Sequence, residues 1–138
     1  PLAKSLDLVV RHRFPELLVS DVITPVPMHT SKLEVRGFNQ AAELSFAFSS
    51  QVEISLVNCL TQTKRLELRE LNREERFKAV RGAFEFNDLF SEQISGKNII
   101  LIDDVVTTGS TASECSRVLL DNGARQVNVL ILGRTCDE

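Results

Sequence analysis

Apolar residues recur along this chain in two rhythms, and each change of rhythm marks a boundary between helix and strand. Over residues 2–18, Leu6, Val9, Val10 and Phe14 fall at helical spacing, which predicts a helix packed by one stripe against a sheet. Val22, Ile23 and Thr24 form a short strand closed by Pro25 and Pro27, neither of which can donate to a ladder. A loop rich in charge follows. Asn39 then stands where an N-cap belongs, ahead of a helix expected through Phe48 with Ala42, Leu44, Phe46 and Phe48 among its apolar positions. Residues 52–56 alternate as Val52, Ile54 and Leu56, the period of a half-buried strand. Residues 64–81 are charged and expected to be helical, with Asn72 and Glu75 at capping-box spacing. A short strand is expected over 83–86, and Ser95-Gly96 is a turn.

The last unit is the most sharply written. A β-branched strand over 97–102 runs into two carboxylates, Asp103 and Asp104, and then into the small-residue loop Thr107-Thr108-Gly109-Ser110-Thr111. The helix expected over 111–120 presents Ala112, Cys115, Val118 and Leu119 on one face and stops at Asn122-Gly123, and an apolar strand follows over 127–132. Strand, loop, helix and strand make a βαβ unit, so the two strands should be parallel with a right-handed crossover. Ligands of such sheets sit at the carboxyl ends of the strands, where Asp103 and Asp104 lie. No internal repeat, low-complexity tract or second-domain boundary is visible, and residues 1–138 are expected to form one α/β domain.

The chemistry follows from that placement. An acid pair alone is usually a solvated strand end, and hydroxyl residues alone usually cap a helix. Together, the loop offers converging backbone N–H groups and hydroxyls to one anion, and the helix adds its positive end. The two features are too close in sequence to serve different ligands, which points to a sugar phosphate: carboxylates on ribose hydroxyls, loop on the 5′-phosphate. There is no Gly-Lys pair before the hydroxyl, so the loop is not of the Walker type. The loop after the first strand carries Val26, Pro27, His29, Lys32 and Arg36, a basic surface turn on chemistry alone. Residues 64–81 hold seven basic and four acidic side chains, a local charge of +3 that most often marks a solvated helix face.

Composition narrows the setting. Hydrophobic content of 43% and charged content of 25% are ordinary for a soluble globular protein. A formal charge of −3 and the lack of Trp and Tyr leave no strong autonomous single-strand nucleic-acid site. No apolar run approaches the roughly 20 residues of a membrane span. Cys59, Cys115 and Cys136 are scattered and odd in number, which argues for a reducing cytoplasm and against a structural zinc site.

The run from Leu101 through Asp103, Asp104 and Gly109 to Thr111 resembles the phosphoribosyl-pyrophosphate (PRPP) motif of type I phosphoribosyltransferases. Pro25-Val26-Pro27-Met28-His29 leading to Arg36-Gly37-Phe38-Asn39-Gln40, and Arg81-Gly82-Ala83-Phe84, resemble one branch, the ComF competence-protein family. The resemblance implies a mainly parallel sheet flanked by helices, with both aspartates against the 2′ and 3′ hydroxyls. It implies Mg²⁺ bridging ligand oxygens and held by Asp103 and Asp104 only indirectly, through ligand or water. It further implies that the loop after the first strand, which holds Val26 and Pro27, binds pyrophosphate through backbone N–H groups, often around a strained peptide, while Arg36 neutralises charge. Arg76 matches a family arginine, whereas Arg65, Leu68 and Ala79 stand where relatives commonly carry threonine, glutamine and asparagine. Thr107 replaces the aspartate usual in purine salvage, which disfavours that activity.

Such relatives often carry a small zinc module ahead of this domain, and the chain opens at Pro1 without one. The implied reaction is displacement of pyrophosphate from C1 of PRPP, in a protein linked to competence and DNA uptake and to partners in that process. A non-catalytic sensor of a sugar phosphate or nucleotide is the alternative. A PRPP-making kinase is weaker, because those enzymes use a duplicated domain pair.

Overall fold

Ile99, Ile100, Leu101 and Ile102 are all fully buried, and an extended chain can bury successive side chains only where both faces of its sheet are covered. The computed structural model describes residues 2–106 and 109–134. In chain order its elements are α1 (Leu2–Arg13), β1 (Val22–Pro25), α2 (Thr30–Arg36), α3 (Gln40–Val52), β2 (Ser55–Leu56), β3 (Leu60–Gln62), α4 (Arg73–Val80), β4 (Phe84–Phe86), α5 (Ser91–Ile94), β5 (Asn98–Val106), α6 (Ser110–Asp121) and β6 (Gln126–Arg134). Four strands make one parallel sheet in the order β2-β1-β5-β6, and β3 and β4 form a separate antiparallel pair. This is an α/β fold with a parallel sheet flanked by helices.

Each face of the sheet has its own core. On one, Leu6 and Val10 of α1 and Leu44 and Phe48 of α3 meet Ile23, Ile100 and Ile102. On the other, Cys115, Val118 and Leu119 of α6, with Val80, Phe84 and Ile94, meet Val22, Ile99 and Leu101. Each such fully buried aliphatic contributes about 1.5–3 kcal/mol relative to exposure. The sheet is therefore most firmly held along β5, the strand that carries the acid pair.

Several elements differ from their sequence expectation. The helix expected over 2–18 ends at Arg13, because Phe14 precedes a proline and leaves the helical region at φ −133°, ψ 53°. Val9 and Phe14 are consequently exposed, while a 3₁₀ turn takes up Pro15–Val19. The alternation over 52–56 is not one strand: α3 runs on to Val52, Glu53 turns left-handed at φ 58°, and only Ser55–Leu56 pairs with β1. Of residues 64–81 only Arg73–Val80 are helical, since the capping box at Asn72 and Glu75 starts the helix there. The charged loop after β1 contains α2, capped by His29 at one end and by Gly37, at φ 85°, at the other. Among the described residues, no helix is long and apolar enough to cross a membrane.

Candidate functional site

The strand expected to stop before the acid pair instead carries it, and β5 pairs with β6 as far as Val106. Asp103 follows Ile99 and Leu101 in parity, on the α6 side of the sheet, and is 8% exposed; Asp104 is half-buried. The Asp104 N–H donates to Asp103 Oδ1 at 3.0 Å. Burial first, and then the adjacent Asp104 charge, push the Asp103 carboxyl up to about 7. Burial first, and then the Asp103 charge, raise the buried thiol of Cys115 on α6.

Gly109 starts α6 with a left-handed backbone, φ 82°, a conformation that side chains beyond glycine rarely adopt. Its carbonyl accepts from the Ser113 N–H at 2.9 Å, closing the first turn. Ser110 is buried and Thr111 half-buried within that turn. Thr107 and Thr108 lie outside the described residues. Asp103, Asp104 and the amino-terminal end of α6 thus belong to one continuous strand-to-helix passage at the carboxyl edge of the sheet, where anionic ligands are favoured by the helix end.

The loop after β1 enters the same edge. Pro25 lies beside Ile102, and the Val26 N–H donates to the Ile102 carbonyl at 2.9 Å, one residue before Asp103. Val26 is buried and Pro27 half-buried. The Val26 carbonyl accepts from Asn39 Nδ2 at 3.3 Å, while Asn39 Oδ1 accepts the N–H groups of Ala41 at 3.0 Å and Ala42 at 3.3 Å. One side chain therefore caps α3 and fixes the loop beside the acid pair. Among the described residues the peptide bonds are trans. Arg36 ends α2 with its guanidinium 5.6 Å from the centre of the Phe38 ring.

Three side chains have structural work that sequence reasoning missed. His29, read as a surface histidine, caps α2: its Nδ1 accepts the Ser31 N–H at 3.1 Å. Glu114 is buried on α6, accepts from Arg117 at 2.6 and 2.9 Å and from the Gly82 N–H at 3.0 Å, and so ties the turn after α4 to the loop-bearing helix. The Arg117 guanidinium holds its carboxyl below the ordinary range. Spacing of Glu114 and Arg117 three apart was the available signal. Arg76, a candidate from the family pattern, donates to the carbonyls of Leu71 at 2.9 Å and Arg69 at 3.2 Å and braces its own segment.

Among the described residues no group of three or more His, Cys, Asp or Glu side chains could hold a metal by itself. The acid pair nevertheless fits Mg²⁺ chemically, since two hard oxygen donors lie where burial and mutual repulsion make a nearby cation favourable.

No family model matches the chain. Competence protein F of Haemophilus influenzae is 33% identical over 137 residues, covering 96% of this chain and 59% of the relative. The DNA utilization protein YhgH of Escherichia coli K12 is also 33% identical, over 97% of this chain and 59% of its own length. This chain thus spans under two thirds of the curated relatives it matches. Adenine phosphoribosyltransferase from Saccharomyces cerevisiae, solved with adenine, superposes with a TM-score of 0.64 at 14% identity, covering 97% of this chain and 66% of that one. The fold is that of the type I phosphoribosyltransferases. In sequence, the chain is similar over nearly its whole length to the ComF competence proteins.

Proposed function

We propose that this domain binds PRPP, or a closely related ribose phosphate, together with Mg²⁺ and displaces pyrophosphate from C1, in a protein that serves DNA uptake. The observation that carries the reading is the passage from the acid pair on β5, with Asp103 buried and Asp104 half-buried, into the glycine-started helix α6, flanked by the Val26-Pro27 turn. Asp103 and Asp104 would take the ribose hydroxyls as acceptors. The residues from Thr107 to Thr111 would hold the 5′-phosphate with backbone N–H groups and hydroxyls. Val26 and Pro27 would offer the leaving group a fixed backbone wall, and Arg36 would neutralise its growing charge. Bound Mg²⁺ would screen the diphosphate while keeping most of its water ligands. Among the described residues none is positioned as an obligate general base, so the protein's contribution to an oxocarbenium-like transition state is positioning and charge stabilisation. The link to DNA uptake rests on the names of the relatives, Competence protein F and DNA utilization protein YhgH.

Calorimetry with PRPP in the presence of Mg²⁺ tests the binding, and Asp104→Asn should weaken it by about 1–3 kcal/mol, the scale of charge-assisted hydrogen bonds. Unchanged affinity in that variant removes the acid pair from the site. Release of pyrophosphate with a panel of bases and amines tests the chemistry. Binding without release from any acceptor would leave a sensor of ribose phosphates.

A further inference from the structure

Glu114 is 4% exposed, and the proposed chemistry leaves this buried carboxylate without a task. Its two oxygens are divided unequally. Oε1 accepts from Arg117 Nε at 2.9 Å, whereas Oε2 accepts both Arg117 Nη2 at 2.6 Å and the Gly82 N–H at 3.0 Å. The two-pronged arginine contact fixes the plane of the carboxylate and keeps Oε2 aimed at Gly82. Arg117 is itself steadied from outside, donating through Nη1 to Asp121 at 2.7 Å.

The turn that receives this bond is shaped to offer its N–H. Gly82 stands at φ 73°, yet no atom lies within 4 Å of where a Cβ would be, so the glycine is required by backbone rotation rather than by crowding. The link continues beyond it. The Ala83 carbonyl accepts the Thr63 N–H at 2.8 Å and Thr63 Oγ1 at 3.2 Å, next to the β3–β4 pairing. Past Thr63 the chain reaches α2, where Arg65 lines a groove with Met28 and Val35. At the other end, Glu114 directly follows the α6 turn that the Ser113 N–H closes onto the Gly109 carbonyl. Apolar contacts of Val80, Ala83 and Phe84 with Cys115, Val118 and Leu119 hold the same elements together, but such contacts have no direction. The hydrogen bonds do.

We propose that Glu114 is a positioning residue that couples the amino-terminal turn of α6 to the β3–β4 pair, so that an anion ordering that turn also orders residues 60–64 and 81–86. The proposal deepens the ribose-phosphate reading and rests on it for the identity of the anion. Such coupling is reciprocal, so loosening the Gly82 turn must weaken the hold on the anion by the same factor.

Hydrogen exchange on a double-mutant cycle tests the link without ligand. Gly82→Ala strains the turn and should speed exchange over residues 113–118 severalfold, although Glu114 is 32 residues away. In a Glu114→Ala background the same substitution should leave those residues unchanged, because the connection is already cut. Glu114→Ala should fold, since Gly82 is exposed and Arg117 keeps Asp121. Glu114→Gln retains an oxygen for the Gly82 N–H and should restore the coupling, which a merely structural loss of the ion pair would not allow. Ribose 5-phosphate with Mg²⁺ supplies the second arm: it should slow exchange over 81–86 in the wild type but not in Glu114→Ala, whose affinity should be about fivefold weaker. Additive effects in the cycle, or ribose 5-phosphate binding that leaves 81–86 unchanged in the wild type, overturn the proposal. If ribose 5-phosphate fails to bind while the cycle is non-additive, the coupling stands and the ribose-phosphate reading falls.

Discussion

β5 and α2 flank the same corner of the molecule and are built on opposite terms. β5 is sealed on both faces by side chains from helices, and its backbone pairs with β1 as far as Ile102 and with β6 past the acid pair. α2 has no buried residue, exposes Leu33 and Val35, and depends on its two caps. The contrast separates two tasks. On the proposed reading, groups that must sit in a fixed geometry lie on the sheet, whereas Arg36, which would meet the leaving group, lies on an element that costs little to move.

The sharpest way to test this contrast is to weaken each region by the same chemical step. Ile100→Ala should cost about 2–5 kcal/mol in urea unfolding, because it leaves a cavity in a fully buried position. Val35→Ala, at a position 89% exposed, should stay within about 0.5 kcal/mol. Comparable losses would mean that α2 is part of the cooperative core.

Asp103 supplies the next effect, and its sign is opposite. Its carboxyl is raised from 3.8 to about 7 in the folded state, so between those values the folded chain binds a proton that the unfolded chain has lost. Stability should therefore fall as pH rises through that window. Asp103→Asn removes the penalty and should stabilise the protein by roughly 1–3 kcal/mol at pH 8 and by much less at pH 5, at the cost of ligand binding. Thermal unfolding of both forms at the two pH values measures it, and a gain independent of pH would mean that packing rather than charge is responsible.

Asn39 joins the two regions. Asn39→Ala should cost about 1 kcal/mol by loss of the α3 cap. Asn39→Asp keeps an acceptor for the cap but loses the amide that holds the Val26 carbonyl, so stability should largely return while PRPP affinity does not. Equal recovery of both would show that the bond to Val26 does not position the loop.

Legibility followed the same division. The βαβ unit, the parallel sheet and the acid pair were readable because residues 99–102 state their burial through an unbroken apolar run and the hydroxyl loop has few other uses. α2 was unreadable because its residues carry no apolar stripe; a histidine cap and a left-handed glycine define it instead. Residues 52–56 misled for a related reason: Val52, Ile54 and Leu56 alternate by coincidence across a helix end, since a left-handed residue between them resets the period. Glu114 was passed over because its partner, the Gly82 N–H, is 32 residues away and leaves no local trace.

The smallest expected effect isolates α2 itself. His29 Nδ1 accepts the Ser31 N–H and also lies 2.8 Å from Ser31 Oγ, so the ring serves as the helix's N-cap. His29→Ala removes that acceptor and should cost on the order of 0.5–1 kcal/mol, while His29→Asp, which supplies a carboxylate acceptor of similar reach, should restore most of it. Because nothing in α2 is buried, the loss should fall on the helix alone: faster amide hydrogen exchange across 31–37, with exchange along β5 unchanged. Loosened α2 should also bind pyrophosphate more weakly in proportion to its lost helicity, since the anion that Arg36 is proposed to meet must then order that side chain as well. Exchange that accelerated equally in β5 would place α2 within the global folding unit and end the contrast between the two regions.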